Sequence, residues 1–159
     1  MEKLTLAGVS CVAEKVETID VAQLLSAIIK TYNGLDVEPE ALLRTPHYLF
    51  SHTGQIIAGV GLGRSNFYST ELHHLFVTEP FRRRGVGADI VNWCTDKAKA
   101  KNKHVICCTV RSDNTASRNL FSKLDFMNTR IFKVDGANYK IHVFEKVTGY
   151  GGSEYDIKG

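Results

Sequence analysis

The sequence predicts an α/β chain of the α+β kind: a mixed, mostly antiparallel sheet with helices on both faces. Three observations carry this. A meander of strand-like runs fills residues 47–77, a strand, helix, strand passage follows over 70–111, and a hairpin closes the chain around Asp135-Gly136. Strands joined by short polar turns pair antiparallel, whereas strand, helix, strand requires a right-handed parallel crossover. The element order reads β-α-α-β-β-β-α-β-α-β-β. With 159 residues, 43% apolar and 23% charged, the chain is expected to fold as one soluble domain over 1–148. The glycine-rich, polar 149–159 reads as a flexible tail.

Each element has a local reason. A short strand is expected within 3–15. In IDVAQLLSAIIKTYNG, Val21, Leu24, Leu25, Ile28 and Tyr32 recur at helical spacing. Asp20 with Gln23 forms a capping pattern, and Asn33-Gly34 ends that helix. PEALLRT is a shorter second helix. HYLFSHT and QIIAGVGLGRS flank Gly54 as a hairpin, and a polar turn leads to the strand TELHHLFV. Val86, Ile90, Cys94 and Ala98 make one helical stripe, backed by Trp93 and the stem of Lys97. HVICCTV is a continuous apolar run suited to a buried parallel strand. NTASRNLFSKL carries Ala116, Leu120 and Leu124 at i, i+4, i+8, and MNTRIFKV pairs with NYKIHVFEKV at the end.

Composition excludes several function classes. No apolar run approaches the ~20 residues of a membrane span, and the N-terminus shows no signal-peptide pattern. Cys11, Cys94, Cys107 and Cys108 fit no CxxC or metal-ligand spacing. They read as small apolar residues of a reducing, cytoplasmic compartment. The net charge of +3 is mild. Lysines 97, 99, 101 and 103 sit at a helix end, where cations complement the dipole. Without aromatic interleaving or a recognition motif, no nucleic-acid partner is expected.

One segment carries chemistry. In VTEPFRRRGVGADIV, a strand gives way to three arginines, two glycines and an immediate helix. A Walker loop fails for want of the lysine and hydroxyl, and a dinucleotide fingerprint fails because Ile90 stands at its third glycine. What fits is Arg82-x-x-Gly85-x-Gly87 at a strand-to-helix junction. The first amides of a helix lack internal partners and point outward, and the dipole adds positive potential. Gly85 and Gly87 let that backbone approach an anion closely, and Arg82, Arg83 and Arg84 raise the local field. The junction is therefore a candidate pyrophosphate cradle.

ELHHLFVTEPFRRRGVGADIV resembles the acetyl-CoA-binding segment of the GNAT superfamily, the Gcn5-related N-acetyltransferases. DNTASRNLFSKLDF is similar to that family's second signature, with Asn114, Ala116, Leu120, Phe121, Lys123 and Phe126 in order. The resemblance covers the chain in element order and is most specific from Glu71 to Phe126. It implies a sheet splayed between two central parallel strands, with pantetheine lying between those ending at Val77 and Val110. The backbone of Leu75, Phe76 and Val77 would pair with the pantetheine. Amides of Arg83, Arg84, Gly85, Val86, Gly87 and Ala88 would hold the pyrophosphate. Asn114 would contact the pantetheine arm or cap its helix, and Phe121 would lie along the cofactor.

The implied reaction is acyl transfer from acetyl-CoA, without a metal, to a primary amine of a small molecule, peptide or protein. It needs a base for the amine, a donor to the tetrahedral oxyanion and a proton for the departing thiolate. Glu71 and His73 are the candidate bases, and a backbone N–H at Phe76 or Val77 the oxyanion donor. On a regular strand Glu71 and His73 share a face with Leu75 and Val77, and His74 shares the other with Leu72 and Phe76; a bulge would break that alternation. Many family members place an acidic tyrosine where this chain has Phe121, so a non-catalytic acyl-CoA-binding module is the alternative. Tyr139 and Tyr32 are conceivable substitutes for the acid. Acceptor choice is expected from residues 20–45, the turn after Arg64 and the terminal hairpin. Asp36, Glu38 and Glu40 form a small acidic group, and the last strands offer a route to a homodimer.

Overall fold

The computed structural model describes residues 1–149; beyond Gly149, the segment read as a tail lies outside them. Among the described residues, no helix is long and apolar enough to cross a membrane. The N-terminus departs from expectation. Two strands, β1 (Glu2–Leu6) and β2 (Val9–Lys15), take the place of one. Ala7 and Gly8 divide them at φ 51° and 78°, the left-handed pair that a two-residue hairpin turn demands. Ala-Gly is a weaker turn signal than Asn-Gly, which is why the division escapes a reading of the sequence.

The remaining elements fall where expected. They are α1 (Ile19–Asn33), α2 (Pro39–Arg44), β3 (His47–His52), β4 (Gln55–Gly63), β5 (Ser69–Val77), α3 (Val86–Ala100), β6 (Val105–Arg111), α4 (Thr115–Lys123), β7 (Met127–Lys133) and β8 (Lys140–Val147). Strands neighbour one another in the order β1-β2-β3-β4-β5-β6-β8-β7, and β5 with β6 is the parallel pair. The fold is thus the mixed, mostly antiparallel α/β sheet that the sequence predicts.

Three local details differ. Thr18, not Asp20, caps α1, accepting from the Val21 amide, and Gly34 closes the helix at φ 68°. The inward stripe of α1 is Ala22, Leu25 and Ile29, while Leu24 and Tyr32 stay exposed; an alanine at the contact shifts the face by one position. On α4 the buried residue is Phe121 and Ala116 is exposed. The α3 stripe of Val86, Ile90, Cys94 and Ala98 is buried throughout.

The chain falls into two compact units. The first comprises Met1–Arg64 and Leu72–Val91. In it α1 and α2 close over Val16, Leu49 and Phe76. Every residue of β4 from Ile57 to Gly63 is buried, so neither face of that strand meets water and polar alternation is lost. The second unit comprises Ser65–Glu71 and the chain from Asn92 onward. Here the parallel ladder runs for three pairs, Ser69↔Val105 to Glu71↔Cys107. β6 pairs with β8 along its whole length, and Phe121 packs edge-on to Phe126 at 5.1 Å and beside Phe144 at 6.0 Å.

Candidate active site

The candidate cradle stands at the end of β5 in the first unit. After Val77 the chain makes a single 3-10 turn, Glu79–Phe81. Arg83 and Gly85 then turn left-handed at φ 59° and 89° before α3 begins at Val86. Gly85 is needed for its backbone conformation rather than for space, since an added Cβ would meet only Ala7 at 3.7 Å. The Asp89 amide donates to the Gly85 carbonyl at 3.1 Å as the helix starts. The amides of Val86, Gly87 and Ala88 thus belong to the first turn, where a helix supplies no acceptor of its own. The Asp89 carboxylate accepts from the Ala7 amide at 2.7 Å, which ties the β1–β2 turn to this helix start.

Two of the three arginines shape the loop. Arg82 donates from Nε to the Val77 carbonyl at 2.8 Å and pairs with Glu79 at 3.1 Å; its guanidinium lies over the Tyr32 ring at 5.3 Å. Arg84 donates to the Pro80 carbonyl and covers Phe81. Both side chains are engaged locally, so the junction's capacity for an anion rests on its backbone and on the exposed Arg83.

Within β5 the regular alternation fails at His74, which sits at φ 53°. Gly59 and Gly61 lie on one face of β4. A Cβ on Gly59 would strike the Phe76 ring, and one on Gly61 would come within 2.7 Å of His73 Nε2. Phe76 and His73 therefore share a face, although they stand three positions apart, because the left-handed residue inserts a bulge. This corrects the grouping expected for a regular strand, with Phe76 beside Leu72 and His74. Phe76 is buried, stacked on Tyr32 at 5.6 Å; Leu75 accepts from the Asn33 side chain at 3.2 Å.

The bulge gathers three histidines. His47, at the start of β3, is buried and its Nδ1 lies 3.0 Å from the Thr45 carbonyl. Its Nε2 lies 3.0 Å from His74 Nδ1. The ring centroids of His73 lie 5.0 Å from His47 and 4.7 Å from His74. Burial pushes the His74 imidazole down to about 4, helped by His47 and Arg64. His47 is lowered too, by burial first and Arg64 last, against the pull of the Thr45 and Leu42 carbonyls. Sequence reading overlooked His47. It stands 26 positions before His73, and only the β3–β4–β5 pairing brings them together.

In the second unit Glu71 is half-buried and faces Cys107 across the parallel ladder. Burial lifts the Cys107 thiol to about 11, reinforced by the carboxylates of Glu71 and Glu145. Burial raises Cys11 as well, and Cys94 to about 12. All four cysteines are unpaired; burial raises Cys108 as well, so the protonated thiol is favoured in each. Asn114 caps α4, accepting from the Ser117 amide at 3.1 Å. Phe121 is buried. Tyr139 lies under the Arg111 guanidinium at 3.7 Å.

A model of the family described as the acetyltransferase (GNAT) family matches residues 23–126. Among solved structures, the chain resembles the ribosomal-protein-S18-alanine N-acetyltransferase of Escherichia coli at 14% identity and TM-score 0.73, over 87% of this chain and 94% of that one. It resembles Arabidopsis thaliana NAA60 in complex with a bisubstrate analogue at 14% identity and TM-score 0.73, over 86% and 97%. It resembles yncA of Salmonella typhimurium with its cofactor acetyl-CoA at 17% identity and TM-score 0.69, over 87% and 94%. No curated protein sequence matches the chain. At these identities the structural likenesses establish the fold.

Proposed function

This chain belongs to the acetyltransferase (GNAT) family, and from that premise we propose that it moves an acetyl group from acetyl-CoA to a primary amine. The observation that carries the reading is the β5–α3 junction. There a left-handed Gly85 delivers first-turn amides to a point where two arginines are held in place by their own loop. Such a site suits a pyrophosphate, whose charge the helix start stabilises. The backbone of Leu75, Phe76 and Val77, at the end of β5, would pair with the pantetheine.

In the proposed reaction the amine nitrogen attacks the thioester carbonyl, the carbon–sulfur bond breaks, and coenzyme A leaves as thiolate and takes a proton. Glu71 or His73 removes the amine proton, directly or through water, and a backbone N–H at Phe76 or Val77 meets the oxyanion. Phe121 cannot protonate the thiolate, so solvent supplies that proton.

The test is thiol release from acetyl-CoA over a panel of amines and peptides. Amine-dependent release that saturates with acetyl-CoA supports the enzyme. Saturable binding without release across the panel favours the acyl-CoA-binding module. Should Glu71→Gln and His73→Gln both keep wild-type turnover and pH profile, neither is the base.

A further inference from the structure

We propose that His47, His73 and His74 form a binding site for a divalent transition metal, with Zn²⁺ the reference ion. The ligand atoms of all three lie within 4.8 Å of one another, and the His47–His74 pair is already at 3.0 Å. Nitrogens around a tetrahedral ion at ~2.0–2.1 Å stand ~3.3 Å apart. Closing the set therefore asks for a tilt of the His73 ring and little of the other two.

Three further features favour ligation. The nitrogen of His47 turned away from the cluster meets the Thr45 carbonyl. That contact assigns the proton to Nδ1 and leaves a lone pair on Nε2, the arrangement in which an outer partner orients a metal-bound imidazole. Space is provided at Gly61, where a Cβ would sit 2.6 Å from His47 Nε2 and 2.7 Å from His73 Nε2. Access is provided by His73 and His74, both half-buried, while His47 forms the buried floor. Arg64 adds opposing charge, but its side chain is exposed and solvent screens it. Three imidazoles leave a fourth position for water or an anion, and their chemistry suits zinc, copper or nickel over magnesium or calcium.

The site does not depend on acetyl transfer, a metal on His73 leaves Glu71 as the base, and the test does not use activity. Chelator-treated protein is titrated with Zn²⁺ by calorimetry and with Co²⁺ by visible absorption. One equivalent of Zn²⁺ and the intense visible bands of four-coordinate cobalt are expected. His73→Gln and His74→Gln should each weaken Zn²⁺ at least ~10-fold, whereas His104→Gln should not. The melting temperature of each metal-free variant identifies any that fails to fold. Gly61→Ala then serves as a second probe, expected to weaken Zn²⁺ by crowding His47 and His73. Absence of stoichiometric binding in the wild type, or equal affinity in His73→Gln, His74→Gln and wild type, overturns the proposal.

Discussion

The β5–α3 junction and the histidine cluster lie in the same compact unit and are made by opposite means. The junction is assembled from consecutive residues and depends on backbone conformation. The cluster is assembled from two strands on either side of a third and depends on side chains crossing a glycine stripe. Both need glycine, for different reasons. Gly85 is required for a positive φ, with only an ordinary contact to Ala7 beside it, whereas Gly59 and Gly61 are required for space alone. A site made from contiguous backbone can be read in a sequence, and one made from register cannot.

Substitutions can break this contrast. The largest effect is expected at Gly59→Ala, because the new methyl must displace the buried Phe76 ring from its stack on Tyr32. Overpacking of that kind should cost about 3 kcal/mol in urea unfolding. Gly61→Ala should cost about 2 kcal/mol, since His47 is buried and bonded on both ring nitrogens and cannot swing aside freely. Gly85→Ala should cost about 1 kcal/mol, through backbone strain without a clash. A reversed ranking of Gly61→Ala and Gly85→Ala would erase the distinction between space and conformation.

Acid stability sharpens the contrast further. His74 has a folded value of about 4 against 6.5 for the free side chain, so between those values the unfolded chain binds the extra proton. Stability present above pH 6.5 is then lost as pH falls towards 4. Urea midpoints across that range in metal-free buffer should decline, and His74→Gln should decline less. An equal decline in both proteins would assign the loss elsewhere. Arg84→Gln should have the smallest effect, within about 0.5 kcal/mol in the same assay, because its contacts are exposed and local.

Much of the fold was legible because its elements announce themselves locally. The α3 stripe needs only the helical period, and Gly54 and Gly136 mark their hairpins. Thr53 and Gly54 both adopt positive φ, and so does Gly136. What escaped had non-local causes. The Ala7-Gly8 turn is defined by the pairing of β1 with β2, and the face of α1 is set by which residue meets the core. The bulge at His74 has no glycine or asparagine to signal it. It nevertheless decides that Phe76 joins His73 and that His73 joins His47. The left-handed Gly85 and the start of α3, by contrast, are legible in the sequence, because conformation and charge there come from adjacent residues.

The claim that backbone amides at the start of α3 hold the cofactor is tested most directly by titrating acetyl-CoA into the wild type and Gly87→Trp, with circular dichroism confirming that both are folded. Saturable one-to-one binding by the wild type is expected, with affinity falling at least ~100-fold in the variant as the indole fills the space in front of the first-turn amides. Undiminished binding by a folded Gly87→Trp protein would contradict the assignment.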